Sequence, residues 1–181
     1  MQKQSLFSRP GSWAVLFVVA LIAGPVWIAY SRPEDIVIPP APRAGAPAPD
    51  FEFQTLDGET LTLAELQGQA VVLNLWATWC PPCRAEMPSL QRVAERYAGD
   101  GLVIVALNQG EDAATVSEFV QEHGLTFIVG MDSAEQIGRA YELQAYPTTF
   151  FIGRDGVIRD VVQGGPMSEA LIEDQVRRLV D

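Results

Sequence analysis

The chain has 181 residues, with 12 basic and 23 acidic side chains, one histidine and two cysteines. At a formal net charge of −11 it repels nucleic acid. Its 48% apolar content suffices for one ordinary core, while two cysteines and one histidine fall short of the four ligands of a closed zinc site.

The charge is unevenly spread. Before Glu34 the charged residues are Lys3, Arg9 and Arg32, whereas from Asp50 onward 21 acidic side chains face eight arginines and no lysine. Trp13 to Tyr30 is an uncharged run of 18 residues, long enough to cross a hydrocarbon core as a helix. Gly24 and Pro25 interrupt it, which membrane helices tolerate. Trp13, Trp27 and Tyr30 stand near its ends, where amphipathic rings favour headgroups. Basic flanks stay in the cytoplasm, so residues 1–31 are read as a cytoplasmic tip and a single inner-membrane anchor, with the rest on the periplasmic side. A signal peptide cleaved near Ala29-Tyr30-Ser31 is the rival reading, and it exports the domain equally. Residues 32–50 carry six prolines and four alanines, the composition of a stiff, extended linker.

Residues 51–181 alternate strand and helix signals. Phe51–Gln54 and Glu59–Leu63 flank Leu56-Asp57-Gly58, a hairpin signal. Thr62 and Glu65 have the spacing of a capping box for a short helix that Gly68 ends. Ala70–Trp76 is a short apolar run suited to a strand buried on both faces. The spacing of Met87, Leu90, Val93, Ala94 and Tyr97 predicts a helix from Pro81 to Tyr97, kinked by Pro88. Leu102–Leu107 is the next strand, and Asp112–His123 a helix ended by Gly124 with Val116, Phe119 and Val120 inward. A short strand at 127–129 precedes a helix at 133–141, capped by Ser133 or Asp132, with Ile137, Ala140 and Tyr141 inward. Strands at 148–152 and 157–162 flank the turn Gly153-Arg154-Asp155-Gly156, and a helix at 167–180 with Ser168 as cap ends the chain. This order describes an α/β domain, a mixed central sheet flanked by helices.

The chemistry is carried by Trp79-Cys80-Pro81-Pro82-Cys83. The C-x-x-C pair follows a buried strand and opens a helix. Free N–H groups and the positive end of the helix dipole favour an anion there, so the Cys80 thiolate is stabilised. Pro81 suits the first helical turn, and Cys83, one turn on, points inward. In this geometry Cys80 attacks a partner disulfide and Cys83 resolves the mixed disulfide, closing a Cys80–Cys83 bond without any cofactor. The two prolines stiffen the loop, and with Trp79 they form the surface offered to substrate. Glu86 lies three residues after Cys83 on the same face. A partly buried carboxylate there can take the Cys83 proton.

The segment Asn74-Leu75-Trp76-Ala77-Thr78-Trp79-Cys80-Pro81-Pro82-Cys83-Arg84-Ala85-Glu86-Met87-Pro88 resembles the TlpA/ResA/DsbE branch of the thioredoxin superfamily. Ala48-Pro49-Asp50-Phe51 resembles the start of the domain there and in peroxiredoxins. Tyr146-Pro147-Thr148-Thr149-Phe150 is similar to the superfamily's cis-proline segment. The resemblance runs from about Ala46 to the C-terminus. It implies a thioredoxin-like fold with an N-terminal β-hairpin extension and an inserted αβ segment. It also implies that Pro147 is cis beside the sulfurs, with Tyr146 and Thr148 presenting backbone edges to substrate. Related proteins associate a glutamate at position 86 with the active site. Asn74 stands where thioredoxin carries an aspartate; being unable to transfer a proton, it is expected to bond neighbouring backbone. The resemblance further implies a reductase of exported protein disulfides, such as those of apocytochrome c, fed by a membrane thiol carrier.

Two alternatives remain open on sequence. A thiol peroxidase would carry a threonine at position 77, where Ala77 stands beside Thr78. A copper-binding or delivery module would add a histidine to the thiolates, and His123, at a helix end, is distant in sequence.

Overall fold

The computed structural model describes residues 41–181. The expected membrane anchor and the first part of the linker, residues 32–40, lie outside the described residues. Among the described residues no helix is long and apolar enough to cross a membrane.

Seven strands form one sheet: β1 (Glu52–Thr55), β2 (Thr60–Thr62), β3 (Ala70–Trp76), β4 (Leu102–Gln109), β5 (Ile128–Asp132), β6 (Thr148–Ile152) and β7 (Ile158–Gln163), in the order β2-β1-β5-β4-β3-β6-β7. Strands β3, β4 and β5 are parallel, while β6 runs antiparallel to β3, β7 to β6 and β1 to β5. The helices are α1 (Pro81–Arg96), α2 (Ala113–His123), α3 (Gln136–Ala140) and α4 (Glu169–Val180), with a 3-10 turn at Ala64–Leu66.

The centre is β3, all seven residues of which are buried. Strand periodicity splits them between two cores. Val72 and Trp76 join Met87, Leu90, Phe119, Ile172 and Val176 on the face covered by α1, α2 and α4. Val71, Leu73 and Leu75 join Leu107, Ile137, Tyr141 and Phe150 on the opposite face. The pair β1–β2 is the N-terminal hairpin extension, and α2 with β5 is the inserted αβ segment, fixed parallel against β4. On the outer face of the helices, Arg92 and Arg96 reach Glu169, and Arg96 also reaches Glu173, tying α1 to α4.

Local signals account for most element ends. Glu65 accepts from the Thr62 N–H at 2.7 Å while Thr62 Oγ1 accepts from the Glu65 N–H, the reciprocal pattern expected. Asp112 caps α2 through the Thr115 N–H, Gly124 ends it in the left-handed region, and Ser168 caps α4. The helix α3 departs from expectation. It begins at Gln136, because the buried Asp132 ends β5 and directs its two oxygens at the N–H groups of Gln136 and Gly138 (both 2.8 Å). Its inward residues are Ile137 and Gly138, while Ala140 is exposed. The helix α4 likewise starts two residues late, at Glu169, leaving Met167 buried in the preceding loop. The domain also begins before Phe51: Gly45 N–H donates to Ile158 O and Ala48 N–H to Gly156 O, laying the last linker residues on the β6–β7 hairpin.

Gly130 in β5 shows how closely the hairpin extension is packed. A Cβ there would lie 2.4 Å from Phe53 Cδ2 and 2.8 Å from Leu107 Cδ1. Gly130→Ala is therefore expected to lower the unfolding free energy by about 1–3 kcal/mol, read as a lower urea midpoint at unchanged m value.

Candidate active site

The site forms where β3 ends. Trp76 and Ala77 are still buried, and the chain then turns through Thr78 and Trp79 into α1. Cys80 is the amino cap of α1, in extended backbone conformation (φ −86°, ψ 110°), with Pro81 and Pro82 opening the helix. Cys80 and Cys83 are joined in a disulfide. The Cys83 N–H donates to Cys80 Sγ at 3.2 Å. The sulfur thus fills the capping role that an oxygen usually takes, on a donor that helix geometry leaves unpaired. Cys80 is 2% exposed and Cys83 fully buried, so Cys80 is the more accessible.

Three segments hold this turn. From the β4–α2 loop, Glu111 accepts from Thr78 N–H (2.7 Å), Thr78 Oγ1 (2.5 Å) and Asn108 Nδ2 (2.7 Å). From below, Arg84 donates to Thr78 O at 3.3 Å with its guanidinium over the Phe119 ring. Against Trp79 lies Tyr146, whose peptide bond to Pro147 is cis. Trp79, 63% exposed, meets the Tyr146 ring edge-on at 5.4 Å. Burial, followed by the nearby carboxylates Glu135, Asp132 and Glu111, pushes the Tyr146 hydroxyl above its ordinary pKa.

The residues expected to meet substrate differ in exposure. Trp79 and Pro81 are exposed, while Pro82 and Tyr146 are half-buried. Thr148 is buried and pairs with Leu75 on one side and Gln163 on the other, so it offers no free edge. Pro147 before it is buried as well.

Glu86 is fully buried. Its Oε1 accepts from Asn74 Nδ2 at 2.8 Å and its Oε2 from the Met167 N–H at 3.0 Å. Gly165 brings the β7–α4 loop against it: a Cβ there would lie 3.1 Å from Glu86 Oε2 and 3.0 Å from Pro147 Cγ. The carboxyl therefore sits between α1, β3 and the proline loop. Burial raises its pKa above the usual glutamate range, and the donors Met167 N–H and Asn74 partly offset this.

Asn74 does not bond neighbouring backbone as expected. Its register partner across the sheet is Thr149, and its side-chain amide donates to Thr149 Oγ1 and to Glu86 (both 2.8 Å). On the far side, His123 stacks on Phe119 at 4.0 Å between centroids, with Nδ1 at 3.0 Å from the Phe119 carbonyl. That ring is engaged within its own helix. The sequence reading missed Glu111, Thr149, Gly165 and Met167. The only signal for Glu111 was its place after the strand, in Asn-Gln-Gly-Glu; the others become legible only with sheet register and loop path.

Comparison with known proteins gives the same picture. Residues 44–161 match the AhpC/TSA family. The chain is 32% identical to the thiol–disulfide oxidoreductase ResA of Bacillus subtilis over 96% of this chain and 92% of that protein. It is 39% identical to ResA of Halalkalibacterium halodurans over 73% of this chain and 74% of that one. A crystal structure described as a putative thiol:disulfide interchange protein DsbE from Chlorobium tepidum superposes with a TM-score of 0.71 at 29% identity, covering 76% of this chain and 98% of that one.

Two measurements follow. A carboxyl whose folded pKa is raised holds its proton in the native state after the unfolded chain has released it. Its contribution to stability is therefore full below the ordinary glutamate value and is lost as pH rises through the higher folded pKa. Glu86→Gln removes this loss, so urea unfolding should show its stability relative to the wild type increasing with pH across that window. Glu111→Ala leaves the buried-side Thr78 N–H and Asn108 amide without their acceptor. It should cost about 1–3 kcal/mol in the same assay and slow exchange with a small disulfide.

Proposed function

The chain belongs to the AhpC/TSA family as a ResA/DsbE-like thiol–disulfide oxidoreductase, and from that premise we propose that it reduces disulfides of exported proteins and is re-reduced by a membrane thiol carrier. The observation that carries the reading is the Cys80 sulfur at the cap of α1, on the Cys83 N–H, preceded by the exposed Trp79, which meets Tyr146 of the cis Tyr146–Pro147 bond.

In the reducing direction, the Cys80 thiolate attacks one sulfur of a substrate disulfide, and the other sulfur leaves as a thiolate. Cys83 then gives its proton to Glu86 and attacks Cys80 Sγ. The Cys80–substrate bond breaks, and the substrate departs with both sulfurs reduced. The donor stabilising the first thiolate is the one that now meets the disulfide. Tyr146 and Trp79 supply the edge and the ring against which the substrate chain lies.

The uncharged run Trp13–Tyr30 with its basic flank supports a tether in the inner membrane and a periplasmic catalytic domain. Tethering confines the enzyme beside its electron donor and raises the effective concentration of each for the other. Likeness to the ResA/DsbE branch supports apocytochrome c cysteines, reduced before haem attachment, as the substrate. Peroxidase chemistry is less well served: Ala77 supplies no hydroxyl, and that of Thr78 is held by Glu111.

Cys83→Ser should stall the mixed disulfide on Cys80. In cells, we expect apocytochromes c and a membrane thiol carrier to accumulate on the variant, separable on non-reducing gels. A broad catch of envelope proteins would replace the maturation reading with general thiol maintenance. No adduct, with a reduced protein inert toward disulfides, would overturn the reductase reading. In the reduced wild type, Cys80 should alkylate before Cys83 and at a lower pH than a free cysteine.

A further inference from the structure

We propose that Asn74 is the positioning residue that reads the protonation state of Glu86, its side-chain amide turning over to donate to the carboxylate and to accept from the acid. The inference rests on the reading of Glu86 as proton acceptor for Cys83.

The hydrogen-bond inventory around Glu86 makes the case. Both oxygens of Glu86 face donors, Asn74 Nδ2 at Oε1 and the Met167 N–H at Oε2. That arrangement suits an ionised carboxylate, which only accepts. A protonated Glu86 must donate, and neither neighbour accepts as it stands. The Met167 N–H belongs to the backbone and is fixed. The Asn74 amide carries an acceptor on its other arm, and a half-turn about its last torsion exchanges the two.

Nothing holds that amide in one orientation except Glu86. Asn74 is fully buried, and its Oδ1 has no partner. The far arm has no partner as it stands and does not lock the group. The third neighbour adapts: Thr149 Oγ1 now accepts from Nδ2, and a hydroxyl turns to donate when an oxygen replaces that nitrogen. After the turn, Oδ1 would accept two hydrogen bonds, from the Glu86 acid and from the Thr149 hydroxyl. The groups placed against the Glu86 carboxyl are Asn74 of β3 and the Met167 N–H and uncharged Gly165 of the β7–α4 loop, and Cys83 lies one turn earlier on α1.

The consequence for the reaction is directional. As the S–H bond of Cys83 breaks and an O–H bond forms on Glu86, Asn74 changes from donor to acceptor and holds the proton on the carboxyl. The thiolate is left free to attack Cys80 Sγ. The proton then leaves to solvent, and the amide returns. Thioredoxin's aspartate at this position would take the proton itself; here the task is divided between an acid and an amide.

The test uses the oxidised protein, in which the cysteines do not titrate, followed by NMR. The side-chain amide signals of Asn74 should shift with the same midpoint as the Glu86 carboxyl carbon, and Glu86→Gln should abolish that shift. In Asn74→Leu the carboxylate loses a donor and the acid loses an acceptor, so the two losses offset and the Glu86 midpoint should move by less than about tenfold. Asn74→Asp places a second carboxyl at the same site, and the two should titrate as a coupled pair. Asn74 signals that stay constant while Glu86 titrates, or a Glu86 proton affinity raised more than about tenfold in folded Asn74→Leu, as loss of a fixed donor would give, would overturn the inference and leave the role of Glu86 standing. If instead the Asn74 shift is found but the pH dependence of mixed-disulfide resolution is the same in Glu86→Gln, the proton-acceptor reading fails and the amide reporter survives. A Glu86 that shows no titration removes both.

Discussion

A single backbone N–H, that of Cys83, meets the sulfur of Cys80 at the start of α1, and the rest of the domain can be understood as the means of keeping it there. The helix must begin at Cys80, so Pro81 and Pro82 occupy positions where a helix needs no donor. The helix must also be aimed, and β3 does this: a strand with no solvent-facing side chain has one register and one depth. Trp76 ends that strand packed against Phe119 of α2, and Glu111 and Arg84 grip the Thr78 turn from two sides. A cap, a strand and a clamp therefore act on one sulfur.

Around that sulfur the environment is divided. Outward lie Trp79, Tyr146 and the carboxylates that act on Tyr146. Inward lie Cys83, Glu86 and Asn74, all without solvent exposure. The outer cysteine keeps slight access to solvent; the inner one lies one helical turn before an acid whose own charge is disfavoured by burial. Such an acid is a better proton acceptor than an exposed glutamate, because the proton it takes relieves a desolvated charge. The same burial makes its surroundings exacting. A Cβ at Gly165 would press on both Glu86 and Pro147.

Much of this was legible in the sequence because it is local. The run Ala70–Trp76, the Thr62–Glu65 spacing, the Asp112 and Ser168 caps and the Gly153–Gly156 turn each carry their physics within a few residues, and each has its counterpart in the fold. The departures arise where distant segments decide. Asp132 starts α3 late by reaching forward to Gln136 and Gly138, and no helical period announces a strand-end carboxylate serving as a remote cap. Thr148 loses its free edge to two neighbouring strands. Asn74 finds Thr149 and Glu86 only because register and helix placement bring them together, 75 and 12 residues away. Glu111 is one acid among many until the turn it clamps is seen.

The attachment of Gly45 and Ala48 to the β6–β7 hairpin gives the domain a polarity. That hairpin lies beside the first residues of β3, where Val71 pairs with Ile152, whereas the cysteines follow its last residue. The seven residues of β3 separate the two poles, on the order of 20 Å at strand rise. A chain arriving through Gly45 thus joins the base of the domain and leaves the sulfur pair at the summit. The point of entry and the reactive pair are thus kept at opposite ends of one buried strand.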